Sequence, residues 1–99
     1  MKNPLGDIVA TVHFYSTDAG GRHGPTPEDK FNCLMVVDGK NLDVRLHIEC
    51  IGRIIPGETI KVPLSFLDWE NAKKYCFVGK KFLLKEIRAI GDGVIEEIR

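Results

Sequence analysis

The chain has 99 residues, 43% of them hydrophobic and 28% charged, with 14 basic and 14 acidic side chains and a formal net charge of zero. That is enough for one small domain around one core, so residues 1–99 read as a single domain. The neutral balance argues against a strong sequence-independent grip on nucleic acid, and no apolar run approaches the ~20 residues that a membrane-spanning helix needs.

The first residues, Met1 to Asp7, hold no apolar stretch of signal-peptide length, so a cytoplasmic location is expected. From Asp7 to Tyr15 the sequence alternates. Ile8, Ala10, Val12 and Phe14 share one face, and Val9, Thr11, His13 and Tyr15 the other. The β-branched and aromatic content makes this a strand with apolar residues on both faces.

Ser16 to Glu28 is a connection of 13 residues around Asp-Ala-Gly-Gly-Arg-His-Gly-Pro-Thr-Pro. Its glycines and prolines are incompatible with an ordinary helix or strand. Connections this long in a compact domain are usually functional or mobile. Arg22 and His23 at its centre are candidates to touch something outside the chain. The competing expectation is that both tie the loop to its own domain.

Lys30 to Val37 reads as the second strand, with Phe31, Cys33, Met35 and Val37 on one side. Asp38-Gly39 supplies the positive φ angles of a tight hairpin turn. Leu42 to Cys50 is the clearest alternation in the chain and predicts a strand with one wet face. Pro56-Gly57 fits a type II turn. Thr59 to Leu67 is the next strand, where Pro63 lacks a ladder donor and points to an edge or a bulge. Asp68 to Cys76 predicts one short helical turn capped by Asp68 and anchored by Trp69. Lys80 to Ile87 and Asp92 to Ile98 are the last two strands, joined by a turn at Arg88 to Gly91. The fold class expected is all-β: a small six-stranded antiparallel β-barrel with one short helical turn.

Charge is uneven within the neutral total. From Asn71 to Ile90, Lys73, Lys74, Lys80, Lys81, Lys85 and Arg88 stand against Glu86 alone, which is +5 and leaves −5 for the rest. A basic face on this part of the barrel is one expectation, and a solvated strand face and helix end is the other.

No catalytic motif declares itself. Gly-x-Ser-x-Gly, His-Glu-x-x-His and the phosphate-binding Gly-Lys-Ser/Thr are absent. Cys33, Cys50 and Cys76 are an odd number without a Cys-x-x-Cys pair, and read as small buried apolar residues. His47 and Cys50 are three apart on an expected strand and so point to opposite faces, which leaves no metal site. No cofactor, metal or catalytic residue is expected.

Three segments carry a resemblance. Val12-His13-Phe14-Tyr15-Ser16-Thr17-Asp18-Ala19-Gly20-Gly21-Arg22-His23 resembles the first strand and following loop of the C-terminal β-barrel, the third domain, of bacterial elongation factor Tu. Ile54-Ile55-Pro56-Gly57-Glu58-Thr59 resembles that domain's Met-Pro-Gly-Asp step. Phe82-Leu83-Leu84-Lys85-Glu86 followed by Gly91-Asp92-Gly93-Val94-Ile95 resembles its closing hairpin and last strand. The likeness spans about Asp7 to Ile98. It implies a six-stranded antiparallel barrel and gives Gly20, Gly21, Arg22 and His23 a partner- or RNA-facing position. The family's GTPase domain and second barrel have no counterpart here, so neither GTP binding nor elongation is implied.

The function expected is a non-catalytic interaction module. It would bind a protein partner through the Ser16–Glu28 loop and the adjacent barrel surface. The alternative is an RNA-binding module, tRNA-like in its ligand, that uses Arg22, His23 and the basic Lys73–Arg88 region, with Lys73, Lys74, Lys80 and Lys81 as its candidate contacts. Acids stand in Glu28-Asp29-Lys30-Phe31, where the family carries arginines, and this favours the protein partner. A third alternative is a small enzyme with an unrecognised site.

Overall fold

The computed structural model describes residues 6–27 and 31–99. Glu28 and Lys30, expected to close the loop and open the second strand, lie outside the described residues, as does the side chain of Cys50.

Six strands close into one antiparallel barrel. They are β1 (Ile8–Phe14), β2 (Phe31–Val37), β3 (Lys40–Leu46), β4 (Thr59–Phe66), β5 (Lys81–Lys85) and β6 (Ala89–Ile98). Around the barrel their order is β1-β4-β3-β2-β5-β6, with β6 returning to β1. Among the described residues closure pairs every strand on both sides, through ladders of only three residue pairs at β3–β4 and β2–β5. The period-2 alternation decides the interior. Val12, Phe14, Met35, Leu46, Leu64 and Leu84 all point inward and are almost fully buried. Burying a side chain of this size contributes about 1.5–3 kcal/mol, so the inward rows together hold the fold.

The turns follow their local chemistry. Asp38 and Gly39 have φ of +50° and +76°, the two-residue turn expected between β2 and β3. At Pro56-Gly57 the Glu58 amide donates to the Ile55 carbonyl at 3.0 Å. The Asp68 carboxylate caps helix α1 (Trp69–Ala72) by accepting from the Asn71 amide at 3.2 Å. A 3-10 turn over Lys73–Tyr75 continues the helix, and Trp69 packs on Phe66 with ring centroids 5.4 Å apart.

Two expected boundaries move. β3 ends at Leu46 rather than Cys50. His47 leaves the extended region (φ −85°, ψ 68°), and a 3-10 turn over Ile48–Cys50 swings Ile48 into the end of the barrel, where it is fully buried. Packing at the barrel end overrides the alternation of the last four residues. Pro63 sits where this happens. It pairs with Val9 of β1, and the β3–β4 ladder stops at Leu46–Leu64. Its carbonyl accepts the His47 amide at 2.9 Å, so its missing N–H falls where β3 has left the sheet.

The turn between β5 and β6 also comes earlier than expected. It lies at Glu86 to Arg88, closed by the Glu86 amide on the Arg88 carbonyl at 3.0 Å, and β6 begins at Ala89. An irregularity in register follows, with Leu84 opposite Gly91 and Lys85 opposite Ala89. The extra residue, Ile90, is buried. The bulge therefore absorbs an apolar residue that a regular hairpin would place in the turn.

Candidate functional site

The long loop after β1 is tied down at three points. It opens with a 3-10 turn over Thr17–Ala19, where the Ser16 hydroxyl accepts from the Ala19 amide at 3.2 Å. Gly20 then takes a left-handed conformation (φ +92°). Gly21 is pressed against the end of β1: a Cβ there would stand 2.1 Å from the Tyr15 carbonyl oxygen. At the far end Thr26, 2% exposed, donates its amide to the Ile54 carbonyl at 2.9 Å and accepts the Ile54 amide on its hydroxyl at 2.8 Å.

Between these ends the loop and the β5–β6 turn exchange arginines. Arg22 reaches from the loop to Glu86 in the turn, with Nη1 to Oε2 at 2.6 Å, and its guanidinium lies 5.0 Å from the centre of the Phe31 ring. Arg22 also donates to the Gly24 and Pro25 carbonyls at 3.4 and 3.3 Å. Arg88 reaches back from the turn. Its Nε donates to the Gly20 carbonyl at 2.7 Å, and Nη2 donates to Gly21 at 3.1 Å and to Nε2 of His23 at 3.3 Å. That last bond requires Nε2 to be the unprotonated nitrogen of His23. The left-handed glycine turns two loop carbonyls toward Arg88, and the arginine satisfies them.

Of the expected site residues, Gly20, Gly21, Arg22 and His23 therefore form one cluster. Arg22 faces its own domain, and its donors are engaged there. Arg88, Glu86 and Thr26 complete the cluster, and none of them was among the expected site residues. In the sequence Glu86 ended the segment likened to a closing hairpin, Thr26 stood in the Gly/Pro-rich loop, and Arg88 was marked only by its charge beside the expected turn.

The lysines lie elsewhere. Lys73 pairs with Glu70 at 2.9 Å, and Lys74 lies over the Tyr75 ring. Lys80 pairs with Asp38 at 2.6 Å and lies over Phe77. Lys81 is exposed at the start of β5, the opposite end of that strand from Glu86. At ~3.3 Å per residue the two ends of β5 with its flanks are ~20 Å apart. The lysines thus do not join the loop in one basic face, and Lys73 and Lys80 have acidic neighbours of their own.

Among the described residues that the loop and turn leave exposed, which include Asp18, His23, Glu86 and Arg88, one is a large apolar side chain. Ile87, at the tip of the β5–β6 turn, is 97% exposed. It borders two depressions. One, of about 440 Å³, is floored by the loop and turn. The other is a groove of about 890 Å³ across the outer faces of β2, β3 and β4, with Leu67, 83% exposed, on its far rim. Beside the groove Cys33 is buried, and burial followed by the charge of Glu86 pushes its thiol up to about 12. Such a thiol is inert at neutral pH. Burial, with a smaller effect of Asp7, likewise raises Cys76 to about 11.

No protein-family model matches this chain, and a search of curated proteins returns no significant match.

Proposed function

We propose that the chain is a protein-binding module whose docking surface is the clasped loop and β5–β6 turn, centred on Ile87. The observation that carries this reading is the exposure of Ile87. A large apolar side chain held almost wholly in water at the tip of a braced turn is a ready anchor for an apolar socket on a partner. The two arginines and Thr26 keep the surrounding backbone in place, which lowers the ordering cost of association. The likeness of the Gly-Gly-Arg-His loop to that of the third domain of elongation factor Tu supports the same surface, and a partner that also recognises that factor is the natural candidate. An RNA-gripping surface has less to draw on, because Arg22 is engaged with Glu86, Arg88 with the loop carbonyls, and Lys80 and Lys81 lie at the other end of β5.

Affinity capture from a cell extract with the full chain tests this. The expected result is a partner retained by the unaltered protein and by Phe77→Ser, which changes an exposed apolar residue near Lys80, and lost with Ile87→Ser. Equal retention by Ile87→Ser would remove the turn from the interaction. A tRNA titration at two salt concentrations tests the RNA alternative. Binding that weakens steeply with salt would favour it over the protein reading.

A further inference from the structure

The end of β3 brings three chemically linked side chains together at the side of the large groove. His47 is 8% exposed. Its Nε2 is 2.6 Å from the Ser65 hydroxyl on β4, and its Nδ1 is 3.2 Å from the Glu49 carboxylate. The early exit of β3 from the sheet makes this possible. Had the strand continued, Glu49 would lie two residues further along an extended chain, and the 3-10 turn instead folds it back onto the imidazole.

The hydrogen-bond roles follow from the chemistry. The Glu49 carboxyl is held below its ordinary range, first by its own backbone amide and then by His47. It is ionised at neutral pH and can only accept, so Nδ1 carries the proton. In the neutral ring Nε2 is then a lone-pair acceptor, and Ser65 donates its O–H to it. A hydroxyl bonded to an imidazole whose other nitrogen is held by a carboxylate is the arrangement that activates serine for attack on a carbonyl.

Two further features lie beside it. Ser65 lines the groove of about 890 Å³ together with the apolar side chains of Leu34 and Leu67. Arg45, directly opposite Ser65 in the β3–β4 register, lines the same groove. Its Nε is the one buried side-chain nitrogen or oxygen without a hydrogen-bond partner among the described residues. The Arg45 charge also acts on Glu49, so the guanidinium lies beside the hydrogen-bonded line, where a positive charge suits a developing oxyanion.

We propose that Ser65, His47 and Glu49, with Arg45, form a site that hydrolyses carboxylic esters of apolar acyl groups. Ser65 Oγ bonds to the ester carbonyl carbon as its proton passes to His47 Nε2, and the carbonyl electron pair moves onto oxygen beside the Arg45 guanidinium. Collapse breaks the bond to the alcohol oxygen, which leaves with the proton from Nε2. Water then attacks the acyl-serine, giving its proton to Nε2. The acid departs, and Ser65 recovers the proton. The sum is ester plus water to acid plus alcohol. An ester suits the site better than an amide, because one charged donor serves the oxyanion here and an alcohol is the easier leaving group. The groove meets the docking surface at Ile87, but the proposal does not depend on that surface.

The test is labelling of the full, folded chain with a fluorophosphonate probe, located by peptide mass spectrometry, alongside hydrolysis of 4-nitrophenyl butyrate. The expected result is one adduct, on Ser65, in the unaltered protein. Labelling and turnover disappear with Ser65→Ala and slow by about 100-fold or more with His47→Gln. Arg45→Met lowers kcat by about 100-fold with little change in KM. A purely structural hydrogen bond predicts instead a lower melting temperature for Ser65→Ala and no adduct in the unaltered chain. The absence of a Ser65 adduct on the folded protein, or equal turnover by Ser65→Ala, would overturn the proposal.

Discussion

Arg22→Ala separates a structural arginine from a ligand-binding one. The substitution removes a charged bond of 2.6 Å to Glu86 between side chains that are 21% and 35% exposed. A hydrogen bond to a charged group contributes about 1.5–3 kcal/mol, and an exposed ion pair about 0–1 kcal/mol. Partial burial puts this pair between them, at about 1.5 kcal/mol. The ring contact with Phe31 adds about 0.5 kcal/mol at this exposure. The bonds to Gly24 and Pro25, at 3.4 and 3.3 Å, are long and add little. The expected loss is about 2 kcal/mol, which in a domain of this size lowers Tm by roughly 8–16 °C. Urea denaturation and thermal melting measure it. A double-mutant cycle with Glu86→Ala is expected to return a coupling of about 1 kcal/mol, reduced in molar salt because the pair is partly open to solvent. A Tm unchanged within about 1 °C, together with no coupling to Glu86, would refute the internal role and return Arg22 to the surface as a contact for a partner.

Two glycines that adjoin in sequence are expected to differ in their tolerance of alanine. Gly21→Ala drives a Cβ into the Tyr15 backbone and costs about 3 kcal/mol or more. Gly20→Ala meets open space and costs only the left-handed backbone penalty, about 1–2 kcal/mol; equal losses in urea denaturation would mean that Gly21 is not pressed against β1. The depressed carboxyl of Glu49 predicts a pH signature. Its folded value lies below the ordinary 4.5, so its contribution to stability is complete above that pH and is lost as pH falls through the lower folded value. The stability gap between the unaltered chain and Glu49→Gln is therefore expected at pH 6 and should close as pH drops below 4.5; a gap of the same size at pH 3 would contradict it.

Much of the barrel was legible in the chain, because strands announce themselves locally. Side chains alternate, Asp38-Gly39 supplies two positive φ angles, and Asp68 offers a carboxylate three residues before an amide that needs one. The positions of all six strands and the short helix follow from such signals. Where the reading missed, the cause was non-local. The alternation from His47 to Cys50 is intact in the sequence, yet Ile48 is worth more to the barrel end than to a longer strand. The hairpin after β5 turned three residues early because a bulge could bury Ile90.

The amino-acid sequence by itself determined that the chain is all-β, that its interior is built from alternate residues, and that the Gly-Gly-Arg-His loop breaks the strand pattern. Each of these depends on a residue and its near neighbours. Tertiary structure alone decided which way the arginines face and which polar groups meet. Arg22 and Glu86 are separated by 64 residues, and His47 and Ser65 by 18. Their encounters depend on strand order and register around a closed barrel, which no local spacing encodes. The loop that looked most able to reach outward is tied to the barrel through Arg22, Arg88 and Thr26, and a serine, a histidine and a glutamate that looked unrelated share one hydrogen-bonded line.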